Sequence, residues 1–346
     1  MLSNIELHDL ASTNLPEAVP YALVTPPGYH ESGPLPLCLL LVGGGGSRQN
    51  LVDCRQLFES RWSDGSLPPM VLATPSPGMS YYLEDSASRV RWESFLAEEF
   101  VPHLRKTCNV NADRRSTAIT GISMGGYGAL KTAFAHPQQF GVVAAMQPMV
   151  EPGFHDSQIG ARNRFHYMAG GPPRLIGPAR DPALFEANHP ANLARANARL
   201  IRETGLAIYI EAGDEDFLNA HDGAEFMHRV LWDLDLSHEY HLVRGGDHGG
   251  PTLLPRLRAM LTWAGSAMAA MRSAPAAPTA EERAVASWIE GGMAGNPPAA
   301  APTSREFLRI LRAQLQPIRD RAVASDPTTD RRFGVLPDTK VSAFGA

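Results

Sequence analysis

Ser116-Thr-Ala-Ile-Thr-Gly121-Ile-Ser123-Met-Gly125-Gly-Tyr-Gly-Ala-Leu130 is the stretch on which the fold turns. A β-prone run ends at Gly121, and a helical pattern begins just after Ser123. Between them, Gly121-Ile122-Ser123-Met124-Gly125 is a G-x-S-x-G. As a bare string this motif is a weak signal. Its setting between a strand and a helix gives it content. A turn this sharp strains its central residue, and side chains two positions either side would collide with neighbouring backbone. Ser123 Oγ is therefore expected to stand above a sheet edge, facing the free N–H groups and positive end of the following helix.

Working outward, β-rich runs alternate with helical patterns up to about residue 271. Strands are expected at Val19–Thr25, Leu37–Val42, Met70–Thr74, Ser116–Thr120, Val142–Met146, Ala207–Glu211 and Glu239–Val243. Several are continuous apolar runs, as in strands covered on both faces. Helices are expected at Trp92–Leu104, Met124–Ala135, Ala220–Leu234 and Leu253–Met271, from apolar residues at three- and four-residue spacing. The alternation predicts an α/β fold with a mostly parallel central sheet and helices on both faces. Residues 1–271 read as one catalytic domain, within which 151–204 is a long insertion of the kind that forms lids and binding loops. Residues 272–303 read as an Ala/Pro-rich linker around one short helix. Residues 304–346 hold a C-terminal helix over 305–322, with an apolar stripe, and a tail.

A serine hydroxyl is a poor nucleophile without a base, and the base needs an orienting acid. In folds of this type the acid and then the histidine follow the serine along the chain, just past strand ends. Of the 12 histidines, His248 is the one in a Gly-flanked loop after the last strand, Gly246-Asp-His248-Gly-Gly250. The acid comes from Asp214, Glu215 or Asp216, all in the loop after Ala207–Glu211. We favour Asp216, because Asp214 sits beside the turn glycine and Phe217 would shield Asp216 from water. Asp247 is expected to face away from its neighbour. Two backbone donors are needed for an oxyanion: Met124 N–H, and one from Gly43-Gly-Gly-Gly-Ser47, with Gly44 chosen ahead of Gly43. That loop lacks the G-K-[ST] of a phosphate cradle. Substrate contacts are expected among Trp62, Tyr81, Tyr82, Phe154, Arg162, Arg164, Phe165 and Tyr167, with Tyr81, Tyr82 and Phe154 foremost.

With these residues in hand, the chain resembles the putative-esterase (esterase D) family of α/β-hydrolases, near tributyrin and feruloyl esterases and S-formylglutathione hydrolases. The resemblance covers about residues 20–270. It runs through Thr25-Pro-Pro-Gly28-Tyr29, Gly43-Gly-Gly-Gly-Ser47, Tyr81-Tyr82, Trp92 to Pro102, the Ser123 turn, Gly213-Asp-Glu-Asp216-Phe217 and Gly246-Asp-His248-Gly249. It implies an α/β-hydrolase fold and a cofactor-free serine esterase acting on a small or aryl ester. In the family pattern the Asp preceding Phe is the acid, which matches Asp216. Val42 departs from the His or Asp often found before the glycines. Ile122 and Tyr127 stand where S-formylglutathione hydrolases usually carry histidines. An acyltransferase with the same three residues is the alternative, and a non-catalytic scaffold a third.

Composition narrows the classes further. The 346 residues carry 31 Lys+Arg against 36 Asp+Glu, with no basic run, so no nucleic-acid partner is expected. Leu37–Val42 is the longest clean apolar run, far short of a membrane span. The opening Met-Leu-Ser-Asn-Ile-Glu-Leu-His lacks the pattern of a secretory signal, so a cytoplasmic protein is expected. Cys38, Cys54 and Cys108 are expected as buried free thiols, and no H-E-x-x-H or other metal spacing occurs, so no metal is expected. The helix over 305–322 is a candidate for homo-oligomer contact, with packing on its own domain as the competing reading.

Overall fold

A computed structural model of the chain describes residues 3–164, 175, 180–273, 280–292 and 294–299. Eight strands form one sheet: β1 (Asn4–Leu10), β2 (Val19–Thr25), β3 (Leu37–Leu41), β4 (Val71–Pro75), β5 (Thr117–Ile122), β6 (Val142–Met146), β7 (Ala207–Gly213) and β8 (Glu239–Val243). Their spatial order is β1-β2-β4-β3-β5-β6-β7-β8. β2 runs antiparallel to both β1 and β4, and every other pairing is parallel. A two-residue hairpin, Glu84–Asp85 with Val90–Arg91, stands apart from the sheet.

The central strands β3, β4 and β6 are buried along their whole length, as continuous apolar runs require. One face packs on the helices Arg55–Ser63 and Leu253–Arg272, through Phe58, Leu257, Met260, Leu261, Ala264 and Met268. The other carries the helix Met124–Ala135, against β5 and β6. It also carries a helical stretch over 92–107, whose turn widens at Phe95–Phe100, just before Pro102, which brings no N–H to the ladder. β1 escapes the sequence reading because it is an edge strand, exposed over much of its length, and Asn4, Glu6, His8 and Asp9 dilute its apolar signal.

The 151–204 insertion is not all loop. Pro182–Asn188 is helical, its first N–H groups capped by the Asp181 side chain. Pro190–Thr204 is helical, capped by the His189 ring and ended by Gly205 at φ 63°. Both helices begin with Pro at the first position, where its missing N–H costs nothing; read as punctuation, those prolines hide the helices. The Pro190–Thr204 helix packs on Met124–Ala135, so this part of the insertion is scaffold. Residues 273–346 form a second unit, containing the helix Ala280–Glu290. The helix expected over 305–322 lies outside the described residues, and so does its role in oligomer contact. All three cysteines are free, but only Cys38 is buried; Cys54 and Cys108 are half-buried. Among the described residues no helix is long and apolar enough to cross a membrane.

Two close approaches hold the Ser123 turn. A Cβ on Gly121 would lie 2.1 Å from the Gly125 carbonyl oxygen, and one on Gly125 would lie 2.2 Å from that of Leu41. Behind the turn, Lys131 is fully buried and paired with Glu93, which also meets His136 at 3.2 Å. Burial raises the Glu93 pKa, but Lys131 and His136 together more than offset it and hold the carboxyl at about 2, against an ordinary 4.5. A carboxylate depressed on folding contributes stability above its unfolded pKa, and that contribution disappears as pH falls through the folded value. Glu93→Gln, which leaves Lys131 charged and unpaired, is expected to lower the unfolding free energy by about 3–5 kcal/mol at pH 7. In urea titrations the gap to wild type should close as pH is lowered from 4.5 to about 2. Gly125→Ala, which presses a methyl group onto backbone that cannot swing away, should cost at least about 2 kcal/mol in the same assay.

Candidate active site

The parallel register aligns the C-terminal ends of β3, β5, β6, β7 and β8 along one edge: Leu41 lies beside Gly121, Met146 beside Ile122 and Glu211, and Val243 beside Gly213. The segments leaving those ends hold all the residues singled out around the serine. Ser123 sits at φ 58°, ψ −121°, between β5 and the helix Met124–Ala135. Such a backbone costs about 1–3 kcal/mol and persists only where its surroundings fix it. Here Ser123 N–H donates to the Met146 carbonyl at 3.0 Å. Its own carbonyl accepts from Tyr127 N–H at 3.0 Å and Met149 N–H at 3.1 Å.

Ser123 Oγ lies 2.8 Å from His248 Nε2, and His248 Nδ1 lies 2.8 Å from Asp216 Oδ2. Asp216 is 2% exposed, and its second oxygen accepts from Leu218 N–H at 2.8 Å. A carboxylate with both oxygens engaged and no water access is well set to orient an imidazole and balance a positive charge on it. The other two acids go elsewhere. Asp214 accepts from Gly245 N–H at 2.7 Å and pairs with Arg244, serving the turn. Glu215 offers its backbone N–H to the Gly246 carbonyl. The loops bearing Asp216 and His248 are pressed together: a Cβ on Gly213 would lie 2.1 Å from the Gly246 oxygen. Asp247 bonds to backbone rather than to the ring. Its carboxylate accepts from the N–H groups of Phe217 and His248, which hold its pKa below the usual range and tie the two loops. Phe217 does not bury Asp216 as expected. It is 64% exposed, and its ring meets His248 at 72°.

Met124 opens the helix, where a first-turn N–H has no partner within the helix. The glycine loop meets the serine through Gly43, while Gly44 faces Met79. A Cβ on Gly43 would lie 3.7 Å from Ser123 Oγ, and one on Gly44 would lie 2.9 Å from Met79 Sδ. The expected substrate residues divide. Tyr81 N–H contacts Met124 Sδ at 3.3 Å, which places its backbone beside the serine turn, while its ring is buried edge-on against Tyr127. Tyr82 is fully buried, packed on Trp92 and donating its hydroxyl to the Val42 carbonyl at 3.2 Å, a position that supports the glycine loop from within. Phe154 is buried, meeting Phe226 edge-on beneath the Arg195 guanidinium. Trp62 packs on Phe58 in the core. Arg162 pairs with Asp222, and Arg164 donates to the Ile159 and Asp156 carbonyls, so both brace the insertion. Phe165 and Tyr167 lie outside the described residues. The sequence reading missed Met79, whose thioether lies against the glycine loop. It also missed Gln147, Glu211 and Arg256, which lie behind the His248 loop. The one sequence signal for the last was a charged residue inside a buried helix. Among the described residues, no group of three or more His, Cys, Asp or Glu is placed to hold a metal ion.

Comparison with known proteins agrees with this architecture. The acetyl esterase of Caldicellulosiruptor saccharolyticus is 26% identical over 153 residues, 42% of this chain and 53% of that protein. The diacylglycerol acyltransferase/mycolyltransferase Ag85B of Mycobacterium avium is 30% identical over 169 residues, 46% of this chain and 48% of that protein. The chain thus spans about half the length of the curated relatives it matches. A ferulic acid esterase structure superposes with a TM-score of 0.63 at 20% identity, covering 77% of this chain and 99% of that one, which shows a shared α/β-hydrolase fold. The family described as "Putative esterase" matches residues 12–251, more than half of the chain, and the protein belongs to that family.

Proposed function

We propose that the protein is a serine carboxylic-ester hydrolase that works through an acyl-enzyme. The observation that carries this reading is the unbroken contact from Ser123 Oγ through His248 to the buried Asp216. In the first half-reaction Ser123 Oγ bonds to the ester carbonyl carbon while its proton passes to His248 Nε2. Asp216 holds the imidazolium. The tetrahedral oxyanion takes hydrogen bonds from Met124 N–H and Gly44 N–H, each worth about 3 kcal/mol of transition-state stabilisation. Collapse breaks the ester C–O bond, and the leaving alkoxide takes the proton from His248. Water then repeats the sequence in reverse. Only the chain's own groups take part, and no cofactor is called on.

The substrate we assign is a small or aryl ester. The partly exposed Met79 against Gly44 and Phe217 against His248 support this. The names of the acetyl esterase and ferulic acid esterase relatives point the same way. The acyltransferase reading keeps one specific support, the similarity to Ag85B, since an alcohol can replace water at the second step. We assign the protein to the cytoplasm on its three free cysteines, which suit a reducing compartment.

Ser123→Ala should lower kcat/KM for p-nitrophenyl acetate by at least about 10³-fold and abolish labelling by a fluorophosphonate; retained turnover would end this assignment. Asp216→Asn should lower kcat by about 10⁴-fold, because the amide favours the wrong imidazole tautomer. Product analysis with added short alcohols separates the two fates of the acyl group. Hydrolysis predicts free acid as the main product, while ester formation that saturates with the alcohol would mark a transferase.

A further inference from the structure

Three buried polar side chains from three separate elements meet behind the loop that carries His248. Arg256, on the helix Leu253–Arg272, is 5% exposed. Its Nε donates to Glu211 Oε1 at 2.8 Å, and Glu211, on β7, is 1% exposed. Arg256 Nη2 donates to Gln147 Oε1 at 2.7 Å, and Nη1 donates to the Asp247 carbonyl. Gln147, fully buried just past β6, sends its own Nε2–H to the His248 carbonyl. Gln147 also holds an unfavourable backbone, φ 42°, with its N–H on the Glu211 carbonyl. Two consecutive carbonyls of the histidine loop are therefore held by one buried network. The same network grips the strand that leads to Asp216 and the segment that accepts the Ser123 N–H through Met146.

We propose that Arg256 and Gln147 are positioning residues. They fix the His248 backbone so that the imidazole spans Ser123 and Asp216 in one orientation, and Glu211 anchors the guanidinium. A planar guanidinium suits this task, because its five rigidly placed donors reach three acceptors at once. Fixing the core would not require gripping two neighbouring carbonyls of a surface loop; fixing a base within a few tenths of an ångström of its partner does. The inference rests on the assignment of Ser123, His248 and Asp216 made above.

The test separates the two. Activity on p-nitrophenyl acetate is measured per active site, with sites counted by endpoint fluorophosphonate titration, in Gln147→Asn and in the paired variant Arg256→Gln/Glu211→Gln. Asn tolerates the left-handed backbone but is too short to span both partners. The paired variant leaves no buried charge alone. Positioning predicts that kcat per titrated site falls at least tenfold in each, with KM within twofold, and that Arg256→Lys recovers only part of the rate. A purely structural network would reduce the number of titratable sites and leave kcat per site within twofold of wild type, and that result would overturn the proposal. If the paired variant does not fold, Gln147→Asn decides alone. Wild-type turnover in Ser123→Ala would instead remove the underlying assignment, whichever way the network variants behave.

Discussion

The helix Met124–Ala135 comes so close to β3 and β5 that two α-carbons on that line have no room for a side chain: Gly121 against the Gly125 carbonyl and Gly125 against that of Leu41. The geometry of the serine follows from this approach. The chain must reverse within one residue, so Ser123 takes a left-handed backbone that a serine does not prefer. Three backbone hydrogen bonds from β6, the helix and the segment after β6 hold it there. The hydroxyl is left at the edge of the sheet, at the N-terminal end of the helix Met124–Ala135.

A second close approach serves the other half of the site. β7 and β8 are neighbouring parallel strands, and the loops after them touch through Gly213 and Gly246. Asp247 stitches the loops together from outside by accepting from Phe217 and His248. Arg256 and Gln147 hold the histidine loop from inside. Of the six other left-handed non-glycine residues among those described, four, Tyr81, Tyr82, Gln147 and Asn219, lie on segments next to this edge, and Arg89 and Asp235 lie elsewhere. Strain of this kind gathers where a rigid frame holds side chains in one required arrangement.

Local pattern carried most of the scaffold. Val19–Thr25, Val142–Met146 and Glu239–Val243 coincide with the strands expected, and Met124–Ala135 with the helix, because each is a short element bounded by clear turn residues. The exceptions share a cause. β1 is polar because it is an edge strand, and the helices at Pro182 and Pro190 begin with the residue most often taken as a helix stop. Tyr82 and Phe154 looked like pocket aromatics because a sequence does not say which way an aromatic ring points. Tyr82 instead reaches inward to the Val42 carbonyl, and Phe154 packs under Arg195.

Chain order and turn chemistry sufficed to single out Ser123, the acidic loop at 214–216 and His248, because a strand–turn–helix with small residues at fixed offsets is determined within a few residues of itself. The sequence favoured Asp216 for its place before Phe217, but the physical reason belongs to the tertiary structure: of the three neighbouring acids, Asp216 is the one whose carboxylate meets His248, while Asp214 serves the turn. Tertiary structure alone brought Gln147, Glu211 and Arg256 together, since they are far apart along the chain and meet only when strands and helix pack. Backbone conformation answers to near neighbours, whereas the burial and aim of a side chain answer to segments that sequence distance does not rank.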